Sequence, residues 1–428
     1  MAPPKGGYAP DLEKFLDTLK SRPVDASVES LISLLKRRQI RGSESCAIAT
    51  ARVLLQVVAK DKWMDVDQLL GRIQLVGRKL VTAQPHELVI GNVVKRVLGL
   101  IRDEASEDRN DAGSDSPTDR TPPLPPPAIQ PTLPERQIRP PSLAALGSFA
   151  RTQSMFNLLS DPDFTPSPSS TPKIGSAAST PQRFPQSTNV QALKSEVIDG
   201  IEEIVDEIKQ VDEQVQNYAD IHIHPGDYVL VHQPSKIVQR FLTRAASKRK
   251  FTVFLVVDPS LTTHTDDPYA SFRKSLSSGG STVVNIMNIG LMAYMSKVNK
   301  VILGARAITS KGGVVVDAGA AAIARAAHEQ GRPVIVLSGV YKISPDSRSH
   351  QETFVEWGDP SKYVNFADGA MVGQVRVKNA IAEFIPTELV NTYITNLGAH
   401  SKDHLHGIIA DHYKEEDVSF DLFGKSQR

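Results

Sequence analysis

The 428-residue chain has an ordinary globular composition, 40% hydrophobic and 23% charged, with 49 Lys and Arg against 48 Asp and Glu for a formal charge of +1. That balance argues against a dedicated nucleic-acid binder or a strongly basic membrane-surface protein. One cysteine, Cys46, excludes an internal disulfide and a cysteine-built zinc site, and no run approaches the ~18 apolar residues of a membrane span.

The opening residues, MAPPKGGYAPDLEKF, lack the apolar run and cleavage site of a secretory signal, so a cytoplasmic protein is expected. The next hundred residues carry a helical period. Leu31 to Leu35 and Val53 to Val58 are apolar, and Leu69, Leu70, Ile73, Val76 and Leu80 recur along one helix face. Leu88, Val89, Val93, Val97, Leu100 and Ile101 form a further stripe that starts just after Pro85. No strand-type alternation interrupts them, so residues 1–102 read as a helical N-terminal domain. Its Arg72, Arg78, Lys79, Lys95 and Arg96 would make a basic face suited to an acidic or phosphate-bearing partner; ordinary solvated charges fit the same residues.

Residues 103–190 differ sharply. Of the 29 prolines, 16 fall between Pro117 and Pro185, a density that cannot bury enough apolar area to offset ordering, so a disordered linker is expected. Six Ser/Thr-Pro pairs, at Ser116, Thr121, Thr165, Ser167, Thr171 and Thr180, suit proline-directed phosphorylation, although such pairs also arise by chance in any Ser/Pro-rich linker. The apolar island Ser154–Leu159 looks like a short docking segment.

Beyond the linker, Leu193, Val197, Ile201, Ile204, Ile208, Val211, Val215 and Tyr218 repeat at spacings of three and four, predicting a helix of about seven turns that leads into a further domain. From Pro225 the pattern changes. Residues 227–232, 251–257, 281–286, 300–304 and 333–338 are short, continuous and rich in Val and Ile, as in parallel strands buried on both faces. Helical segments at 235–250, 270–278, 291–297 and 318–330 alternate with them. Residues 191–428 therefore read as a connecting helix plus a doubly wound, Rossmann-like α/β domain, whose ligand crevice lies beyond the carboxyl ends of the strands.

Motifs for common chemistries are missing. No GxxxxGK[ST] phosphate loop, no GxGxxG after the first strand and no GxSxG elbow occurs. The pairs His222/His224 and His404/His406 lack the three-ligand arrangement of a catalytic zinc, and no cofactor or metal is expected. More informative is LGARAITSKGGVVVDAGA (303–320): Gly312 and Gly313 allow a tight turn, and Asp317 with Gly319 opens a helix whose amides suit an anion.

With GRPVIVLSGVYKISP (331–345), that stretch closely resembles the regulatory-subunit family of eukaryotic translation initiation factor 2B. The segments KWMDVDQLL (62–70), TAQPHELVIGNVVKRVL (82–98), KRKFTVF (248–254) and PTELVNTYITNLG (386–398) fit the same family and point to one of its subunit types. The resemblance spans about 1–102 and 190–428 and omits the linker.

The resemblance implies a sheet shared with sugar-phosphate isomerases that carry a reactive cysteine in a Thr-His-Cys-Asn turn and a catalytic aspartate in a Gly-Ala-Asp turn. The matching positions read Val231-His232-Gln233-Pro234 and Gly304-Ala305-Arg306. Gln233 has no thiolate, and Arg306 stays protonated and takes no proton from carbon. A vestigial pocket of Gln233, Arg306, Gly312, Gly313, Asp317 and Gly319 is thus expected, in a non-catalytic subunit of the exchange factor for initiation factor 2. Implied partners are the alpha, gamma, delta and epsilon subunits and factor 2, chiefly its alpha subunit, whose phosphorylation the regulatory subunits sense; no membrane or nucleic acid is implied. Leu291, Met292, Met295 and Val298, at helical spacing, are the candidate subunit interface, with plain core packing the alternative. Rival functions are an active sugar-phosphate isomerase or a small-molecule sensor using the remnant pocket.

Overall fold

Helices α1 (Leu12–Leu19), α2 (Val24–Lys36), α3 (Ser43–Lys60), α4 (Val66–Ala83) and α5 (Leu88–Gly113) come first, followed by α6 (Asn189–Gln216) and the short α7 (Ala219–His222). The computed structural model describes residues 12–113, 189–257, 267–287, 290–346, 351–359 and 376–418. The Ser/Thr-Pro pairs and the Ser154–Leu159 island lie outside the described residues. The expected linker start at 103 is too early: α5 runs on to Gly113, and α6 already begins at Asn189. The apolar stripe of α5 fades after Ile101, but Arg102 pairs with Asp417 and Glu416, and Lys414 with Asp103, so the polar end of the helix is held by the C-terminal turn.

The chain then alternates: β1 (Tyr228–His232), α8 (Lys236–Ala246), β2 (Thr252–Val256), α9 (Ala270–Ser278), β3 (Thr282–Ile286), α10 (Leu291–Met295) and β4 (Lys300–Gly304). Next come β5 (Ala307–Ile308), β6 (Val314–Asp317), α11 (Ala320–Glu329) and β7 (Val334–Leu337). The last elements are β8 (Glu356–Gly358), β9 (Asn379–Ile385), β10 (Thr392–Thr395), β11 (Gly398–His400), α12 (Leu405–His412) and α13 (Glu415–Val418).

The main sheet has the order β11-β10-β7-β4-β1-β2-β3 and is parallel except for its edge strand β11. Alternate residues of the central strands serve opposite cores. Val229, Val231, Val253 and Leu255 face α6, α8 and α9, whereas Leu230, Val256, Val301 and Val336 face α10, α11 and α12. Burial on both faces is why these strands read as unbroken apolar runs. All five predicted parallel strands form, and the doubly wound arrangement is present. A second, antiparallel sheet, β5-β6-β9-β8, was not expected.

Helical region and sheet are not separate cores. Leu31, Leu54, Val94 and Leu98 join Ile201, Val205 and Ile208 of α6 and Phe241 and Ile302 beyond it in one continuous cluster. Burying each such side chain contributes about 1.5–3 kcal/mol, so α6 ties the two parts through its whole apolar seam. No described helix is long and apolar enough to cross a membrane.

Candidate functional site

β1 has β2 on one side and β4 on the other, so the strand order reverses between β1 and β4. A crevice opens at such a switch point, at the carboxyl ends of the strands. Gln233 follows β1 and Arg306 follows β4, and the structure brings both to this place.

Gln233 sits at φ 39, in the left-handed region that a side chain disfavours by roughly 1–2 kcal/mol. Its N–H donates to the carbonyl of Val256 at 3.3 Å. Preceding it, His232 is buried and its Nε2 donates to the carbonyl of Ala318 at 2.9 Å. Gly319, at φ 101, lies directly against that ring: a Cβ there would stand 2.9 Å from His232 Nε2.

The centre of the site is a cation enclosed by carboxylates. Arg306 Nε and Nη2 reach Asp317 Oδ1 at 2.7 and 2.6 Å, and Nη1 reaches Glu356 Oε2 at 3.1 Å. Glu356, almost fully buried, also pairs through Oε1 with Arg38 and accepts from Gln84 Nε2 at 3.4 Å. Ser43 at the start of α3 donates to the Arg306 carbonyl at 3.1 Å. The helical region thus plugs the crevice from one side.

Partial burial dominates the electrostatics around this ion-pair network. Burial pushes the Glu87 carboxyl up, against the opposing pull of Ser43, Arg306 and Lys342. Burial likewise lowers Lys342, whose ammonium donates to the Ala305 carbonyl at 3.1 Å. The Tyr269 phenol is pushed up to about 12 by burial, reinforced by Asp317.

Gly312 and Gly313 make the expected tight turn, closing the β5–β6 hairpin, Gly312 at φ 84, with Tyr393 donating to the Gly312 carbonyl. At the N-terminus of α11 the Ala321 N–H donates to Glu383 Oε1 at 2.6 Å, so one of the amides expected to suit an anion is taken by the chain's own carboxylate. Glu356, Arg38, Lys342, Glu87 and Glu383 were all missed. They come from five separate stretches of the chain, Arg38 and Glu87 from loops, and no local spacing marks them.

The remaining site residues are also rearranged. Lys95 is 1% exposed and pairs with Asp346. Arg96 reaches Glu207 at 2.7 Å, and Arg72 bridges Asp25 and Asp61 at 2.6 and 2.9 Å. Lys79 pairs with Glu29 at 3.2 Å; Lys79 and Arg78 are exposed. The five cations therefore form no single face, because α5 is surrounded by α3, α4, α6 and the segment after β7. Of the proposed interface residues, Leu291, Met295 and Val298 are buried in the second core, and only Met292 stands out, 55% exposed. Among the described residues no group of three or more His, Cys, Asp or Glu side chains is placed to hold a metal, so the two His pairs do not combine.

Comparison with known proteins gives a consistent picture. The model of the Initiation factor 2 subunit family matches residues 39–402. Translation initiation factor eIF2B subunit beta of Schizosaccharomyces pombe is 32% identical over 414 residues, covering 94% of this chain and 100% of that protein. The crystal structure of eIF2B beta from Chaetomium thermophilum superposes with a TM-score of 0.65 at 40% identity, covering 96% of this chain and 97% of the other. A chain of the tetrameric eIF2B-beta2-delta2 complex from C. thermophilum matches equally, with a TM-score of 0.65 and 40% identity over 94% of this chain and 100% of that one.

Proposed function

The chain belongs to the Initiation factor 2 subunit family, and from that premise we propose that it is the beta-type, non-catalytic regulatory subunit of the guanine nucleotide exchange factor for translation initiation factor 2. It works in the cytoplasm within an assembly of alpha, gamma, delta and epsilon subunits. It helps bind factor 2, chiefly through the alpha subunit of that factor, and distinguishes its phosphorylated from its unphosphorylated form.

The observation that carries this reading is Arg306, held between Asp317 and Glu356 at the switch point. In the isomerases whose sheet the family resembles, the matching turn carries a proton-abstracting aspartate; a guanidinium clamped by two carboxylates abstracts nothing. Gln233, at the nucleophile position, supplies an amide and no thiolate. A chain without reacting groups changes an exchange rate only by binding. Its effect then equals the difference in its affinity for the two phosphorylation states, a coupling of about 1–3 kcal/mol for typical allosteric systems. A similar chain crystallised with delta subunits supports assembly as the setting.

The test is co-expression with a delta-type subunit, native mass measurement, and exchange assays of the full assembly on phosphorylated and unphosphorylated factor 2. Assembly plus an unequal response to the two forms is the expected result. Turnover of a ribose-type 1-phosphate by the isolated chain would overturn it in favour of the isomerase.

A further inference from the structure

Helix α8 carries Lys236, Arg240 and Arg244 at four-residue spacing, and Lys248 continues the row just past its end. At 1.5 Å per residue the row is about 18 Å long. Residues 228–257 contain six Lys and Arg and no Asp or Glu, so the strand–helix–strand unit supplies no neutralising charge of its own. The acids that reach the row come from elsewhere and leave it incompletely paired. Arg240 is 3.5 Å from Asp212 and Lys236 is 3.9 Å from Glu44, while Lys248 pairs with Asp220. Arg244 is exposed and makes no side-chain hydrogen bond or direct ion pair among the described residues; its nearest compensation is the longer-range attraction of Asp220, which Lys248 already engages.

Beside this row an open groove of about 410 Å³ runs between α8 and α9, with Phe272 in its wall and no acidic residue lining it. The hydroxyls of Ser247 and Ser275 are spent on backbone carbonyls of their own helices, as is the Gln239 amide on Pro234. Thr243, Ser271 and Gln216 are not spent: their side chains have no partner among the described residues. Two guanidinium groups, two hydroxyls and an amide thus line one groove with donors available.

We propose that this groove docks a phosphoserine- or phosphothreonine-bearing peptide segment, its phosphate held by Arg240 and Arg244. Guanidinium forks match phosphate oxygens bidentately, and the hydroxyl donors of Thr243 and Ser271 suit the third oxygen. A peptide fits better than a small metabolite, because the groove is open and the cationic row exceeds it in length; an extended segment of about five residues spans ~18 Å. The reading is independent of the chain's place in the exchange factor. It concerns the outer surface of α8 and α9, away from the Arg306 crevice.

The full chain is titrated by fluorescence anisotropy with a labelled short peptide bearing one phosphoserine, its unmodified twin, and a single-stranded RNA of matched length. The phosphopeptide should bind at least about tenfold tighter than the twin, the scale of one charge-assisted hydrogen bond. The double substitution R240Q/R244Q should abolish that preference, while R325Q, an exposed cation on α11 across the sheet, should keep it. Should the double variant fold poorly, Ser271→Asp, which adds a carboxylate to the groove, should abolish the preference in its place. Equal binding of the two peptides, a preference that survives either variant, tighter binding of RNA, or displacement by inorganic phosphate as effective as by the phosphopeptide would each overturn the proposal.

Discussion

Arg306 and Asp317 close the switch-point crevice on itself: Nε and Nη2 of the guanidinium converge on one carboxylate oxygen at 2.7 and 2.6 Å. The two residues stand eleven positions apart, one following β4 and the other ending β6, joined by the glycine hairpin between them. The segment that a ligand-binding fold would offer to a substrate is here spent on an internal ion pair. Glu356 completes the arrangement by holding Arg306 on one side and Arg38 of the helical region on the other.

Glu356→Gln tests that clamp. The carboxylate is nearly fully buried and faces two arginines, so an amide there leaves both cations short of a counter-charge. Breaking a buried pair from one side costs about 3–5 kcal/mol, and the partial exposure of Arg306 and Arg38 lowers the expected loss to about 2–4 kcal/mol. A shift of the thermal midpoint by several degrees is expected; an unchanged midpoint removes the clamp from the account of stability.

The same cluster gives a pH dependence. Burial raises the Glu87 carboxyl, so the folded chain keeps that proton to higher pH than the unfolded chain does. The folded state therefore binds more protons in the window between the unfolded and folded pKa values, and stability falls as pH rises through it. Above that window the cost is fully present. Glu87→Gln should match the wild type in acid and exceed it at neutral pH. Thermal midpoints measured across that range decide it: parallel curves for the two proteins would refute the assignment.

Gln233→Gly should stabilise the chain. At φ 39 the glutamine pays a backbone strain that glycine does not, and the greater chain entropy of glycine offsets part of the gain. A net rise of about 0.5–1 kcal/mol in unfolding free energy is expected, read from urea midpoints at constant slope. A loss would show that the Gln233 side chain makes a contribution larger than its strain.

The parts legible from sequence are those with a strong period. Buried parallel strands read as continuous Val/Ile runs, and α6 as a three-four seam, because both patterns repeat within a few residues. The sheet β5-β6-β9-β8 was illegible for the opposite reason: β5 has two residues, and β9 alternates only partly in burial. Lys95 shows the limit for site residues. It falls off the apolar stripe of α5 and so reads as surface, yet this part of the helix is packed among α3, α4, α6 and the segment after β7, and Asp346, 251 positions away, receives it. Period reports which face of a helix is apolar; it says nothing of what a distant loop lays over the polar face.

At α10 the two methionines separate core from surface. Met292 is 55% exposed and Met295 is fully buried, although both fit the same helical spacing. Met292→Glu should leave the fold intact and, where this helix meets another subunit, weaken assembly with a delta-type partner. Met295→Glu places a carboxylate in the core and should cost more than about 4 kcal/mol, with loss of soluble chain. Native mass of the co-expressed assembly and circular dichroism of each variant distinguish the two. Unaltered assembly with Met292→Glu excludes that residue from the interface.

Charge reversals on the helical region divide in the same way. Lys95→Glu would set a carboxylate against Asp346 inside the core, so it should unfold the chain and report nothing about partners. Arg78 and Lys79 lie on the exposed side of α4, and the Lys79–Glu29 pair, both side chains about half exposed, is a surface pair worth ~0–1 kcal/mol. The double reversal Arg78→Glu with Lys79→Glu should therefore preserve melting temperature and assembly mass. If this surface meets the acidic or phosphate-bearing partner, the variant should bind factor 2 more weakly or respond less to its phosphorylation. Exchange rates of the reconstituted assembly on both forms of factor 2 are the measurement. Rates and affinities equal to the wild type in both forms would place the contact elsewhere on the helical region, since two like charges reversed at an electrostatic contact cannot leave the encounter unchanged at moderate salt.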